Sequence, residues 1–263
     1  KIGLFAPNSW EWHLAALAIN SIGAVDVPIY ATNSSEECEY ILNNSDSKMC
    51  FVGTNDHLQT IKKVKSKLKK VKQLIVFEEV KGLKGDTLTL AKALDTGKAN
   101  LNPGQFKKRL NAIKPDDLST IIYTSGTTGD PKGVMLTHSN FVTNVKYTLM
   151  EMVDKETGQP LLRPDDIFLS FLPLSHSLER TAGFHGAIWS GAKTAFAESI
   201  EKLVDNFVEV QPTVIISVPR IYEKVHAGII SKVSGAPAIK KAIFNFAMRQ
   251  AKRGLPKVCR DED

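Results

Sequence analysis

Cysteine is scarce and unpatterned. The 263 residues hold three, Cys38, Cys50 and Cys259, in neither a CxxC nor a Cys/His ligand spacing. That argues against a disulfide framework and against a zinc site. A reducing compartment fits this usage, so the expected location is the cytoplasm, with a peripheral place at a membrane left open. No apolar run approaches the length of a membrane span, and the start shows no signal-peptide pattern. A GxSxG elbow is missing, so Ser175 beside His176 does not make a serine hydrolase. Internal repeats and low-complexity tracts are missing as well. Charge is close to balanced: 34 Lys and Arg against 28 Asp and Glu give +6. That suits a polyanionic small molecule or an acidic membrane surface and does not call for nucleic acid.

What is present is the composition of an ordinary globular protein, 43% apolar and 24% charged. Short apolar runs alternate with helical patterns. Ile2 to Ala6 reads as a strand ending at Pro7, followed by a helix for which Asn8 and Glu11 suggest a capping box. Val25 to Pro28, Met49 to Gly53 and Gln73 to Glu79 read as further strands. Between the first two of these, Ser34 and Glu37 announce a capped helix; between the last two lies a lysine-rich one. This pace predicts an α/β fold with mostly parallel, doubly wound sheets flanked by helices. Residues 80 to 115 are punctuated by glycine and proline, which suggests one lobe over 1–104 and a second over 115–263. Lys1 stands directly before the first strand-like run, so the chain reads as a piece of a longer protein.

The segment YTSGTTGDPKGVMLTH, Tyr123 to His138, joins two strand-like runs. Gly126 and Gly129 permit positive φ and leave no Cβ to hold off a ligand. Consecutive N–H groups in such a turn can converge on an anion, and Thr124, Ser125, Thr127, Thr128 and Lys132 add hydroxyls and a full charge. This is not the Walker loop, because Pro131 stands where that loop needs a glycine before its lysine, and a strand follows in place of a helix. The plain alternative is a hairpin loop rich in turn formers for flexibility alone.

YTSGTTGDPKG resembles the phosphate-binding signature of the adenylate-forming, or AMP-binding, superfamily. LPLSHSLER (Leu172 to Arg180), VPRIYEKV (Val218 to Val225) and APNSWEW…GAVDVPIY are similar to its long-chain fatty acid–CoA ligases. The resemblance extends over nearly all of the chain. It implies the incomplete large N-terminal domain of an enzyme that uses ATP, Mg²⁺, a fatty acid and CoA. Such an enzyme forms an acyl-adenylate and pyrophosphate, then a thioester. Carried over by motif, Thr124, Ser125, Gly126, Thr127, Thr128, Gly129 and Lys132 would hold the β and γ phosphates. The Thr124 hydroxyl would also ligate Mg²⁺. His176 would be the catalytic-site side chain, orienting substrate in preference to moving a proton. Glu179 and Arg180 would belong to the substrate wall or pair with each other. Val218 and Pro219 would lie in the acyl-pocket loop, with ordinary core packing as the alternative. A tryptophan gate found in some members has Arg180 in its place here.

Other features carry less. KKVKSKLKKVK, Lys62 to Lys72, invites a nucleic-acid reading, but Ile61, Val64, Leu68 and Val71 recur at helical spacing, so the lysines should face water. The basic helix around Lys240 to Arg253 contains Ile243, Phe244 and Phe246, which leaves contact with an acidic bilayer open. A homodimer is open too. The aromatic-Gly-x-Thr-Glu segment, the ribose-binding Asp and the C-terminal lysine of the family have no counterpart in these residues. The chain alone is therefore expected to bind ATP weakly and not to turn over. Two alternatives stand beside the ligase reading: a non-catalytic nucleotide- or lipid-binding module, and a luciferase-like or peptide-synthetase adenylation domain.

Overall fold

A computed structural model describes residues 1–124 and 130–254. β1 (Ile2–Phe5), α1 (Trp10–Ser21), β2 (Asp26–Ile29), α2 (Ser35–Asn44), β3 (Met49–Val52), α3 (Asn55–Val64) and β4 (Gln73–Val76) alternate as the pattern predicts. β5 (Thr87–Thr89), α4 (Leu90–Ala99) and α5 (Pro103–Ala112) occupy the stretch read as irregular. β6 (Leu118–Thr124) and β7 (Lys132–Thr137) form an antiparallel hairpin that leads into α6 (His138–Glu151). β8 (Ile167–Ser170), a π-helical turn (Glu179–His185), α7 (Gly186–Ser190), β9 (Lys193–Phe196), α8 (Leu203–Val210) and β10 (Val214–Ile215) follow.

Seven strands make one sheet in the order β5-β4-β3-β1-β2-β6-β7, and only the β6–β7 pairing is antiparallel. A second, parallel sheet has the order β10-β8-β9. The doubly wound form follows from the period of two along β1. Leu4 and Ala6 pack with Trp12, Ala15 and Ala16 of α1, while Phe5 packs with Cys38, Ile41 and Leu58 of α2 and α3. Each sheet face thus receives its own helix layer. The larger sheet takes strands from both sides of Pro103 to Pro115, since β2 pairs with β6.

Contacts divide the chain into a compact unit of residues 1–216, which holds both sheets, and a second of 217–263. The second contains α9 (Pro219–Ser234) and α10 (Ala238–Gly254). Among the described residues no helix is long and apolar enough to cross a membrane.

Local sequence explains several helix starts and corrects one. Ser34 and Glu37 form the expected capping box on α2. Thr137 and Asn140 form another on α6. On α1 the cap is Ser9, whose Oγ accepts from the Trp12 N–H, and not Asn8. Asn8 is used elsewhere, as described below. The lysine-rich helix ends at Val64 in a short turn over Lys65–Lys67. Leu68 and Val71 are buried all the same, from the chain that runs on toward β4.

Candidate functional site

In parallel α/β sheets, ligands gather outside the carboxyl ends of the strands. The segment 125–129 leaves the carboxyl end of β6. Ser125, Gly126, Thr127, Thr128 and Gly129 lie outside the described residues, but both ends of their loop are described. Thr124 and Lys132 are register partners across the hairpin, both exposed. The base is fixed by two tyrosines. Tyr40 Oη donates to the Pro131 carbonyl at 3.2 Å, and Tyr123 Oη donates to Asn44 Oδ1 at 2.6 Å. The two rings meet edge to face, 6.3 Å between centroids. Burial pushes the Tyr123 phenol up to about 12, so it stays a neutral donor. Gly133 is required beneath this clamp, because a Cβ there would sit 2.8 Å from Ile121 Cγ2. The two paired strand ends thus carry a hydroxyl on one side and an ammonium on the other, groups that can meet a polyphosphate.

The carboxyl ends of β1 and β8 are tied together by Asn8. Its Nδ2 donates to Ser170 Oγ at 2.9 Å and to the Leu172 carbonyl at 2.7 Å, and its Oδ1 accepts from the Leu174 N–H at 3.0 Å. These bonds hold the segment that leads to His176. The next turn is closed by His176 N–H to the Pro173 carbonyl at 2.9 Å. His176 itself is exposed, and its Nδ1 accepts from the Leu178 N–H at 3.2 Å. In the neutral ring that contact puts the proton on Nε2, which leaves an N–H to offer a ligand oxygen. Asn8→Ala removes all three bonds, and a loss of about 2 kcal/mol of stability is expected in urea unfolding, since two of them serve main-chain groups.

Glu179 and Arg180 follow His176 and do not pair with each other. Glu179 is 2% exposed, and its Oε1 accepts from Ser170 Oγ at 2.6 Å. Its Oε2 has no partner among the described residues. Gly183 stands against this carboxyl, where a Cβ would come within 2.6 Å of Oε1. Burial outweighs the serine bond and raises the Glu179 acid to about 7. The folded chain therefore keeps this proton where the unfolded chain has lost it. Stability falls as pH rises from the ordinary glutamate range to about 7, and levels above it. Glu179→Gln should match the parent chain at pH 4 and exceed it by ~3 kcal/mol at pH 8, read from urea midpoints at the two values.

Arg180 is 1% exposed and points into the larger sheet. Its Nη1 and Nη2 donate to the two carboxylate oxygens of Asp26 at 2.9 and 2.6 Å. Asp26 is fully buried and also accepts from Asn20 Nδ2 at 2.7 Å and Thr120 Oγ1 at 2.7 Å. The guanidinium lies 4.9 Å from the Trp12 ring centroid, with Phe141 and Phe184 also within 6 Å. Two histidines pack around it as neutral rings: burial and the arginine charge push His185 down to about 3 and His13 to about 4. Arg180 thus anchors the π-helical turn to β2 through a charge pair. An acid inside the apolar run GAVDVPIY was the signal that sequence reading passed over, because a buried carboxylate demands a partner. Asn8, Ser170 and Tyr40 were missed as well.

A cleft of about 280 Å³ lies beside Arg180, lined by His138, Phe141, Phe184, His185 and Trp189 among others. It belongs to the opposite end of β6 from the 125–129 loop: Ser119 borders it, five residues or about 17 Å along the strand from Thr124. Val218 and Pro219 form the start of α9, in the second unit. Cys38 and Cys50 are buried and free, and burial lifts both thiols well above their usual range. Among the described residues no group of three or more His, Cys, Asp or Glu could hold a metal ion by itself. An exposed Thr124 hydroxyl still fits Mg²⁺ that arrives with a polyphosphate, since that ion keeps phosphate oxygens and waters as most of its ligands.

The sequence profile described as AMP-binding enzyme matches residues 1–256. The long-chain-fatty-acid–CoA ligase FadD15 of Mycobacterium bovis is 33% identical over 254 residues, covering 95% of this chain and 39% of the relative. The peroxisomal long chain acyl-CoA synthetase 7 of Arabidopsis thaliana is 30% identical over 263 residues, covering 97% of this chain and 35% of the relative. Among solved structures, an anthranilate CoA ligase, AuaEII, in complex with anthranoyl-AMP superposes with a TM-score of 0.68 at 20% identity. That match covers 84% of this chain and 40% of the other, and it establishes the shared fold. The chain spans well under half the length of each of these proteins.

Proposed function

The chain belongs to the AMP-binding enzyme family, and on that premise we propose that it is part of a long-chain fatty acid–CoA ligase. In that reaction a fatty carboxylate attacks the α-phosphorus of ATP. The bond to the β-phosphate oxygen breaks, and pyrophosphate leaves with its electron pair. The CoA thiolate then attacks the acyl carbonyl and AMP departs, leaving a thioester. No protein atom need become covalently bonded, so the protein contributes position and charge.

The observation that carries this reading is the hairpin. It presents Thr124 and Lys132 opposite each other at the carboxyl end of β6, on either side of the Ser/Gly/Thr segment. Backbone N–H groups and hydroxyls of 124–129 would hold the β and γ phosphates, and Lys132 Nζ would oppose their charge. The Thr124 hydroxyl would serve Mg²⁺, which when bound neutralises the same oxygens. His176 would offer its Nε2 proton to a substrate oxygen and so orient the acyl group or the nucleotide. LPLSHSLER and VPRIYEKV, with the long-chain ligases among the relatives, support a fatty acid over the substrates of other branches.

Adenylation by the intact parent against carboxylates of graded length is the test. Pyrophosphate exchange rising with chain length into the fatty-acid range is expected. Exchange with amino acids alone would overturn the choice of substrate. The 263-residue chain by itself should give no exchange, and a signal from it would refute that part of the proposal.

A further inference from the structure

His176 stands near the tip of a loop whose two legs are joined by a buried acid. The loop leaves β8 at Ser170 and enters the π-helical turn at Glu179. Ser170 Oγ donates to Glu179 Oε1 at 2.6 Å, a bond across nine positions that closes the loop at its base. Ser170 Oγ also accepts from Asn8 Nδ2 at 2.9 Å, which ties the closed base to the chain after β1. Within the loop Phe171, Leu172, Leu174 and Ser175 are buried, while Pro173, His176 and Ser177 are exposed. Just past its base, the Arg180 N–H donates to the His176 carbonyl at 3.0 Å.

Packing alone does not call for an acid at this position. Glu179 is 2% exposed, and its Oε2 has no partner among the described residues. A buried, half-satisfied carboxyl costs stability that an apolar side chain of similar volume would not. The surroundings are nevertheless shaped to admit it. Gly183 leaves out the Cβ that would meet Oε1 at 2.6 Å, and the turn from Glu179 to His185 is wound as a π-helix. Turns of that kind recur at functional sites. What this carboxyl does, and an apolar side chain cannot, is accept from Ser170 and so fix both legs of the His176 loop.

We propose that Glu179 is a positioning residue, which through Ser170 sets where the His176 ring stands against its substrate. Contact with substrate belongs to His176, and Glu179 acts only through the loop. This role rests on the ligase reading for what His176 does, while the closed loop does not.

Pyrophosphate exchange and amide hydrogen exchange, both on the intact parent, test it together. Glu179→Met roughly keeps the volume, buries no charge and removes the acceptor; Ser170→Ala removes the donor from the other leg. Each should lower kcat at least about tenfold with KM for ATP within about threefold, the mark of a misplaced group in a site still able to bind. Glu179→Gln keeps an oxygen for Ser170 and should recover most of that loss. In a protein already carrying His176→Ala, Glu179→Met should change kcat by less than about twofold, because its effect travels through that ring. The amides of Leu174, His176 and Leu178 should exchange at least about tenfold faster in Glu179→Met, with those of β1 unchanged. A parent-like kcat in both loop variants, or in His176→Ala, would overturn the proposal. So would the full loss reappearing in the His176→Ala background, which gives Glu179 a role of its own. Glu179→Gln as slow as Glu179→Met would do the same, since charge and not geometry would then be the cause. If the parent shows no pyrophosphate exchange with any fatty acid, the ligase reading fails. Unaltered amide exchange would then overturn the loop role too, and faster exchange would sustain it.

Discussion

Arg180→Ala should cost the folded chain about 3–5 kcal/mol. A domain of ordinary stability has 5–15 kcal/mol in all, so the variant would stand near its unfolding threshold. The reason is what remains, not only what is removed. Asp26 would stay buried, with Asn20 and Thr120 still donating to it but no cation beside it. The rings of Trp12 and Phe184, which meet edge to face, would also lose the flat group packed against them. Removing both charges together should be milder, because a buried ion pair replaced by apolar groups leaves no unpaired charge. The double variant Asp26→Ala with Arg180→Met should therefore lose less than the sum of Asp26→Ala and Arg180→Met. Urea unfolding followed by tryptophan fluorescence suits the test, since Trp12 is fully buried beside the pair. Additive losses would show that the two residues act separately, against the geometry described above.

Lys132→Ala should weaken ATP binding by the intact parent about 10- to 100-fold, the range of one charge-assisted hydrogen bond to phosphate. Lys132 is exposed at the rim of the hairpin, so the fold should be unaffected. Lys132→Arg should recover part of the loss, since it restores the charge at a different reach. An intact fold with unchanged ATP affinity in Lys132→Ala would remove the lysine from the phosphate site.

Much of the fold was legible because it depends on neighbours in sequence. Ser34 and Glu37 cap α2 through contacts within one turn, and the alternation along β1 sorts its residues between two helix layers. Where local signals had more than one use, reading failed. Asn102, Pro103 and Gly104 suggest a loop, yet Asn102 caps α5 and Pro103 takes its first position, where a missing N–H costs nothing. That helix has no buried residue, so no apolar period betrayed it. Ile61 and Val64 are buried from α3 as their spacing suggests, while Leu68 and Val71 reach the core from a non-helical segment. Spacing alone cannot separate those cases.

The site divides in the same way. The phosphate loop announced itself by composition and by its resemblance to a known signature. The pairing of Asp26 with Arg180 spans 154 positions, and Asn8 reaches Ser170 over 162. Neither leaves a trace in local sequence beyond the oddity of an acid in an apolar run. Asn8 was read as a helix cap because the residue type suits that role, but Ser9 was free to fill it, which left Asn8 to join the two sheets.

A crystal of the intact parent grown with a non-hydrolysable ATP analogue and Mg²⁺ tests the central claim most directly. The account predicts β- and γ-phosphate oxygens within hydrogen-bond distance of the Thr124 hydroxyl and Lys132 Nζ. A triphosphate seated elsewhere, with the hairpin rim facing only solvent, would contradict it.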